Sequence, residues 1–292
     1  LKADIEDCIR RGVVWLKTRQ EASGAWPGLK TGGLKTYSYV PETTALTLLA
    51  LLKCEVPPND PCITRGFDWL SKQQFQTGAY GCATTLMALE AKHAPKESIA
   101  RADGRKRSGK PKPVQLGPGD SAWAAKLANQ ILGLQASNGG WRYSFVVNDA
   151  EGKQPGLADV SATQYALMGL KTARHVGIPL KPEAFIRASD FLLAQQDAEG
   201  PKVPRVTARA PEGSVDEAAG DYGKDKARGW PYMNTHASPQ RRQATAAMTC
   251  AGTVGMLICR SECLEDKGLK KKEKTERLAR MEQSIYDGLA WL

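Results

Sequence analysis

The sequence predicts an all-α protein: an α/α toroid, or partial barrel, of helix-pair repeats with outer amphipathic and inner apolar helices. Three observations predict it. A nine-residue segment recurs at a fixed offset, a Gln-x3-Gly-x-aromatic turn follows it, and an apolar run of helical length follows each turn. Periods of this length mark arrays in which each unit buries its apolar face against the next.

The recurring segment is Cys8-Ile9-Arg10-Arg11-Gly12-Val13-Val14-Trp15-Leu16, which returns as Cys62-Ile63-Thr64-Arg65-Gly66-Phe67-Asp68-Trp69-Leu70, an offset of 54. Counted from Trp15 or Trp69, a glutamine stands at +5 (Gln20, Gln74), a glycine at +9 (Gly24, Gly78) and an aromatic at +11 (Trp26, Tyr80). The third copy keeps Gln135, Gly139 and Trp141 and has Gln130 in place of the first aromatic. The fourth keeps Phe191, Gln196 and Gly200 and then divides. Set beside Gly139-Gly140-Trp141-Arg142-Tyr143, its Gly229-Trp230-Pro231-Tyr232 reads as the same turn with about 28 residues inserted between the glycines. Ile285 to Leu292 repeats the opening Gly-x-x-Trp-Leu and stops in mid-helix. The expected organisation is therefore one domain over 1–292, truncated at its C-terminus. Its repeats cover about 1–56, 57–93, 119–178 and 179–263, with the start of a fifth at 275–292.

Each copy opens with an amphipathic helix, at about 3–20, 61–75, 120–136 and 182–197. Start signals are Asp60 as cap before Pro61, Asp120 as cap, and Pro182 before Glu183. A more apolar helix follows in each: Pro41 to Lys53, Cys82 to Lys92, Asp159 to Ala173 and Gln243 to Cys259. Thr44 to Leu52 is apolar nearly all round, so these helices need burial on most sides. Glycine permits the reversal between the two helices, the aromatic packs between helices with its polar tip at the rim, and the glutamine amide can satisfy loose helix ends. The turn residues thus read as structural. The Pro/Gly-rich, charged inserts at 94–118 and 201–228 are expected to be poorly ordered.

Composition narrows the partners. The net charge of +10 is concentrated: Lys96 to Lys112 contributes +5 and Glu265 to Arg280 contributes +3. No aromatics interleave those basic runs to stack bases, so nucleic acid is not an expected partner. The longest uncharged stretch, Gln243 to Cys259, is too short to span a bilayer. Membrane association and compartment, cytoplasm or periplasm, are left open, as the chain begins at Leu1 with no leader pattern. Seven cysteines without a CxxC, and three histidines without metal-ligand spacing, predict no metal site; no cofactor is expected.

The pattern Gly-x-x-Trp-Leu-x4-Gln-x3-Gly-x-Trp resembles the QW motif of squalene and oxidosqualene cyclases and the related repeat of protein prenyltransferase β-subunits. Gly139-Gly140-Trp141 with Ser161 to Leu170, and Gly229 to Tyr232 with Met248 to Gly252, are similar to bacterial, planctomycete-type squalene-cyclase-like repeat proteins of uncertain function. The resemblance implies the toroid. It also implies a test for activity: triterpene cyclases protonate substrate with an Asp-x-Asp-Asp motif, and none occurs here. The nearest analogue by place is Asp159, which also reads as a helix cap. Prenyltransferase zinc ligands, Asp-x-Cys with His, have no counterpart beside His93, His175 or His236. Gly81-Cys82 starts like a complement-type thioester motif, but Ala83-Thr84-Thr85 ends the likeness.

A functional mouth is expected at the inner-helix starts. That nominates Asp159 and Glu42 as acids, and Thr163, Tyr165, Trp141, Tyr143, Trp230, Tyr232 and Arg242 as ligand contacts, with Gln243 and the loop residue His236 nearby. Each also has a plain reading as cap, interhelix contact or rim residue. The expected function is a binding or scaffold module whose partners are further repeats or domains of the same chain and an apolar small molecule. The alternatives are a cyclase-type enzyme with its acid motif in later repeats, and a carbohydrate-active α/α barrel.

Overall fold

Helices carry the fold in the computed structural model, which describes residues 2–28, 40–73, 78–94, 113–142, 158–205, 223–234 and 239–292. In chain order they are α1 (Lys2–Thr18), α2 (Val40–Lys53), α3 (Pro61–Ser71), α4 (Ala79–His93), α5 (Pro118–Gly133), α6 (Val160–His175), α7 (Glu183–Gln195), α8 (Ala246–Glu265) and α9 (Lys271–Trp291). A 3-10 turn (Pro239–Arg242) precedes α8, and two three-residue strands, β1 (Lys202–Pro204) and β2 (Lys224–Lys226), lie between α7 and that turn. The protein is all-α with a repeating helix-pair plan. The chain divides into two compact units, Leu1–Leu134 with Met168–Leu180 and Gln135–Leu167 with Lys181–Leu292.

In the first unit the apolar helices α2 and α4 pack on each other, α3 packs on α2, and α5 packs on α4. The apolar run of α2 buries Thr44, Ala45, Thr47, Leu48, Leu51 and Leu52, and α4 is buried at ten of its fifteen positions. In the second unit α8 packs on both α7 and α9. Small residues let the helices approach: a Cβ on Gly252 would stand 2.3 Å from the Trp230 ring, and one on Gly288 would stand 2.6 Å from it. Among the described residues, no helix is long and apolar enough to cross a membrane.

Local signals set the helix ends. Asp60 caps α3, accepting from the Cys62 N–H at 2.9 Å, with Pro61 at the first helical position. Thr245 caps α8 through the Met248 N–H at 3.2 Å. Asp120, expected as a cap, does not cap its helix. The helix begins earlier, at Pro118 after Gly117, because proline prefers the first helical position. Asp120 therefore sits in the first turn, and its carboxylate accepts from Lys92 (2.8 Å) and meets His93 Nε2 (2.6 Å).

Asp60 also receives Lys17 Nζ at 2.5 Å. The lysine and the Cys62 N–H hold its pKa at about 2, below the ordinary 3.8. A carboxyl depressed in this way contributes its full stability above about pH 4 and loses it as pH falls towards 2. Asp60→Asn should therefore flatten the acid limb of a plot of Tm against pH between 4 and 2. Superimposable limbs for both proteins would discard this account.

The second insert is also corrected at its base. Lys202, Val203 and Pro204 pair antiparallel with Lys226, Asp225 and Lys224, and β2 packs on α9. The ribbon is held by buried polar bonds that short-range sequence patterns do not reveal. Residues 95–112 and 206–222, the greater part of both inserts, lie outside the described residues.

Candidate functional site

The hinge between helices repeats bond for bond. Gln20 donates its amide hydrogens to the carbonyls of Gly24 (2.9 Å) and Cys62 (2.8 Å). Gln135 donates to Gly139 (2.8 Å) and Ala184 (2.9 Å). Gln196 donates to Arg228 and Ser284, both at 3.0 Å. In each case one bond closes the hinge, and the other grips the first helix of the next repeat. A second shared bond runs from Glu21, Ala136 and Asp197 N–H to the carbonyls of Ala25, Gly140 and Gly229. Gln74 of the second copy lies outside the described residues.

Glycine is required where this hinge touches its neighbour. Gly24 (φ 96°) and Gly139 (φ 92°) occupy left-handed backbone, and a Cβ on them would stand 2.5 and 2.2 Å from the carbonyls of Arg65 and Arg187. In the fourth copy the bonds place Gly229 with Gly140, as the split-turn reading expected. The carbonyl role of Gly24 and Gly139 passes to Arg228 rather than Gly200, because the inserted ribbon re-enters the hinge there.

The hinge tryptophans are buried: Trp26, Trp141 and Trp230 are among the largest fully enclosed side chains. Their backbone N–H groups donate to a threonine of the following inner helix: Thr44 at 3.0 Å, Thr163 at 3.0 Å and Thr249 at 3.1 Å. The indole N–H of Trp26 reaches the Leu16 carbonyl (2.7 Å), and that of Trp230 reaches the Leu192 carbonyl (2.8 Å), one residue past the first aromatic of each copy. Tyr80 of the second copy is half-buried in the first turn of α4 rather than ahead of it.

Several nominated residues meet at the start of α6. Asp159 N–H donates to the Trp141 carbonyl (2.9 Å), and Val160 N–H donates to the Tyr232 carbonyl (3.1 Å). The Asp159 carboxylate is buried and accepts from the Ala162 N–H at 2.7 Å, the geometry of an N-cap, where the helix dipole favours an anion. Thr163 is engaged with Trp141 as described. Tyr165 is half-buried on the same helix, and the Arg241 guanidinium stands 5.5 Å over the Tyr232 ring. Arg242 and Gln243 are exposed just before α8. Tyr143 and His236 lie outside the described residues.

Glu42 has a different setting. It sits in the first turn of α2, half-buried, facing the first turn of α4: a Cβ on Gly78 would stand 3.4 Å from its Oε1. Burial pushes its pKa above the ordinary carboxylate range. The Cys82 thiol nearby is pushed up to about 12, first by burial and then by the Glu42 charge. Burial thus favours the neutral form of both groups, and Cys82 is held as an unreactive thiol.

The larger polar constellation was not visible in the sequence. Asp225 and Asp287 are both buried. Arg205 grips Asp225 through Nε (3.0 Å) and Nη2 (2.7 Å), and Arg228 grips Asp287 through Nε (2.7 Å). Gln283 bridges the two carboxylates, donating to each at 2.9 Å. The Arg205 hydrogen bonds, aided by Gln283 and opposed by burial, hold the Asp225 pKa below its ordinary value. Arg205 also stacks 4.1 Å from the Tyr286 ring centroid. This network fixes the ribbon to α9. The signal that could have found it is Gln283 and Asp287 at i and i+4 on one helix face.

Two smaller pairs tie helix ends in the first unit: Glu90 with His175, and Asp120 with Lys92 and His93. Among the described residues, no group of three or more His, Cys, Asp or Glu is placed to hold a metal ion. No protein-family model matches the chain, and no curated protein matches it.

Proposed function

We propose that this chain is a squalene-cyclase-like α/α-toroid repeat module that binds or scaffolds within a larger protein, and that its inner-helix acids serve the fold rather than cyclisation. The observation that carries this reading is the bonding at the start of α6. Asp159, the residue standing where a cyclase acid would, spends its carboxylate on the Ala162 N–H. Thr163 does for Trp141 what Thr44 and Thr249 do for Trp26 and Trp230, so its role follows from the repeat alone. Fold likeness by itself carries no activity. Further repeats and an apolar small molecule are the partners this reading entails.

One observation favours the enzyme alternative: the half-buried Glu42, whose raised pKa suits a general acid. A single experiment separates the readings. The protein is incubated with squalene and with oxidosqualene, and products are analysed by mass spectrometry alongside Asp159→Ala and Glu42→Gln. The scaffold reading expects no cyclised product from any of the three proteins. It also expects Asp159→Ala to lower stability by about 1 kcal/mol through the lost cap. Cyclised product that disappears in Glu42→Gln or Asp159→Ala would overturn it in favour of catalysis.

A further inference from the structure

The outer helices α3, α7 and α9 share one receiving surface, and α1 carries the same surface uncovered. On α3 it is made by Cys62, Ile63 and Gly66, on α7 by Ala184, Phe185 and Ala188, and on α9 by Ser284, Ile285 and Gly288; all nine are buried. Cys62, Ala184 and Ser284 present the carbonyl that accepts from the preceding repeat's glutamine. Gly66 and Gly288 lie under the preceding repeat's tryptophan, so that a Cβ would stand 3.0 Å from Trp26 and 2.6 Å from Trp230. The corresponding residues of α1 are Cys8, Ile9 and Gly12, identical in type to those of α3.

All three are exposed. Ile9 is 46% exposed, against 0% for Ile63, 1% for Phe185 and 7% for Ile285. Among the described residues, nothing lies within 4 Å of where a Gly12 Cβ would stand. Ile5, Val14 and Trp15 extend the uncovered apolar face, and α1 buries none of its residues. An apolar stripe of this kind, rimmed by Arg10 and Arg11, marks an interaction surface rather than a solvated one.

We infer that this face of α1 is a docking site for the Gln-x3-Gly-x-Trp turn of a further helix-pair repeat, one not among the three hinges described. The occupant is set by the surface itself. Gly12 leaves room for an indole, the Cys8 carbonyl is placed for a glutamine amide, and Arg11 stands where Arg65 supplies the backbone that Gly24 must clear and a guanidinium bond to the hinge glutamine (2.7 Å). Nothing in this depends on whether the array is a scaffold or an enzyme.

The test is an extended chain in which a second copy of residues 118–181 is joined directly to Glu6. This junction reproduces the native spacing of 49 residues from Gln135 to Ala184, now from the added glutamine to Cys8. Amide exchange of α1 and alkylation of Cys8 should each slow at least tenfold relative to the original chain. Trp141→Ala in the added copy alone should restore the fast rates. An added copy that stays unprotected, or that folds and leaves α1 and Cys8 fast, overturns the inference. So does sedimentation showing the original chain as a dimer with α1 already protected, since a second copy would then be the occupant.

Discussion

Trp230→Ala is expected to destabilise the second compact unit by about 3–5 kcal/mol, the cost of removing a large buried aromatic and leaving a cavity. Few sites here have less room to collapse. The ring is fully buried and pressed between Gly252 and Gly288, helix positions whose bare backbones belong to α8 and α9. Neither helix can refill the space without shifting its axis. The same substitution strips the Leu192 carbonyl of its indole donor (2.8 Å). Trp230→Phe should recover most of the packing and forfeit only about 1 kcal/mol for that bond. Urea unfolding followed by amide exchange on α7, α8 and α9 measures both. A Trp230→Ala loss below about 1 kcal/mol would show the ring to be peripheral. From the other side, Gly252→Ala places a methyl 2.3 Å from the ring and should also destabilise, by overpacking.

Asp287→Ala should cost about 1–3 kcal/mol, because it leaves the half-buried Arg228 guanidinium without its counter-charge. It also orphans the Lys226 N–H (3.0 Å) and one bond of the Gln283 amide (2.9 Å). Replacing both Asp287 and Arg228 by methionine should recover part of the loss, since a matched apolar pair needs no counter-charge. The coupling energy from the double-mutant cycle is the measurement, repeated at low and high salt. A partly buried pair is screened much less than an exposed one, so the coupling should survive 1 M salt. Coupling near zero, or coupling erased by salt, would reduce the pair to a surface contact.

Much of the fold was legible because its hinge makes closely similar chemical demands in the first, third and fourth copies. A glutamine must supply two amide hydrogens, a glycine must clear a neighbouring carbonyl, and an indole must enter between helices; these needs recur at fixed spacing and so print through the sequence. Asp60-Pro61 was legible for the same reason, since a cap and its first-turn proline are adjacent. Asp120 misled because Gly117-Pro118 starts the helix with no side-chain cap, freeing the aspartate for Lys92 and His93 across the packing interface.

The polar network of the ribbon was illegible for a different reason. Its two ion pairs join residues 20 and 59 apart in the chain, and charges in a Pro/Gly-rich insert look solvated until folding brings them to their partners. The candidate site stood between these cases. Asp159 could be placed at a helix start from sequence. That its carboxylate would be committed to a backbone amide required knowing which way the preceding turn returns to Trp141.

Each described hinge glutamine donates its amide hydrogens to main chain in the helix it grips, at Cys62, Ala184 and Ser284, while the Oε1 of Gln20 accepts from the Arg65 side chain and that of Gln196 from the Ser284 hydroxyl. The donor half of such a joint places almost no demand on its recipient beyond small size, and the acceptor half draws on a side chain that differs from copy to copy. Units built on it are free to diverge, duplicate or change order along an evolving gene while the mechanical coupling between neighbours stays the same.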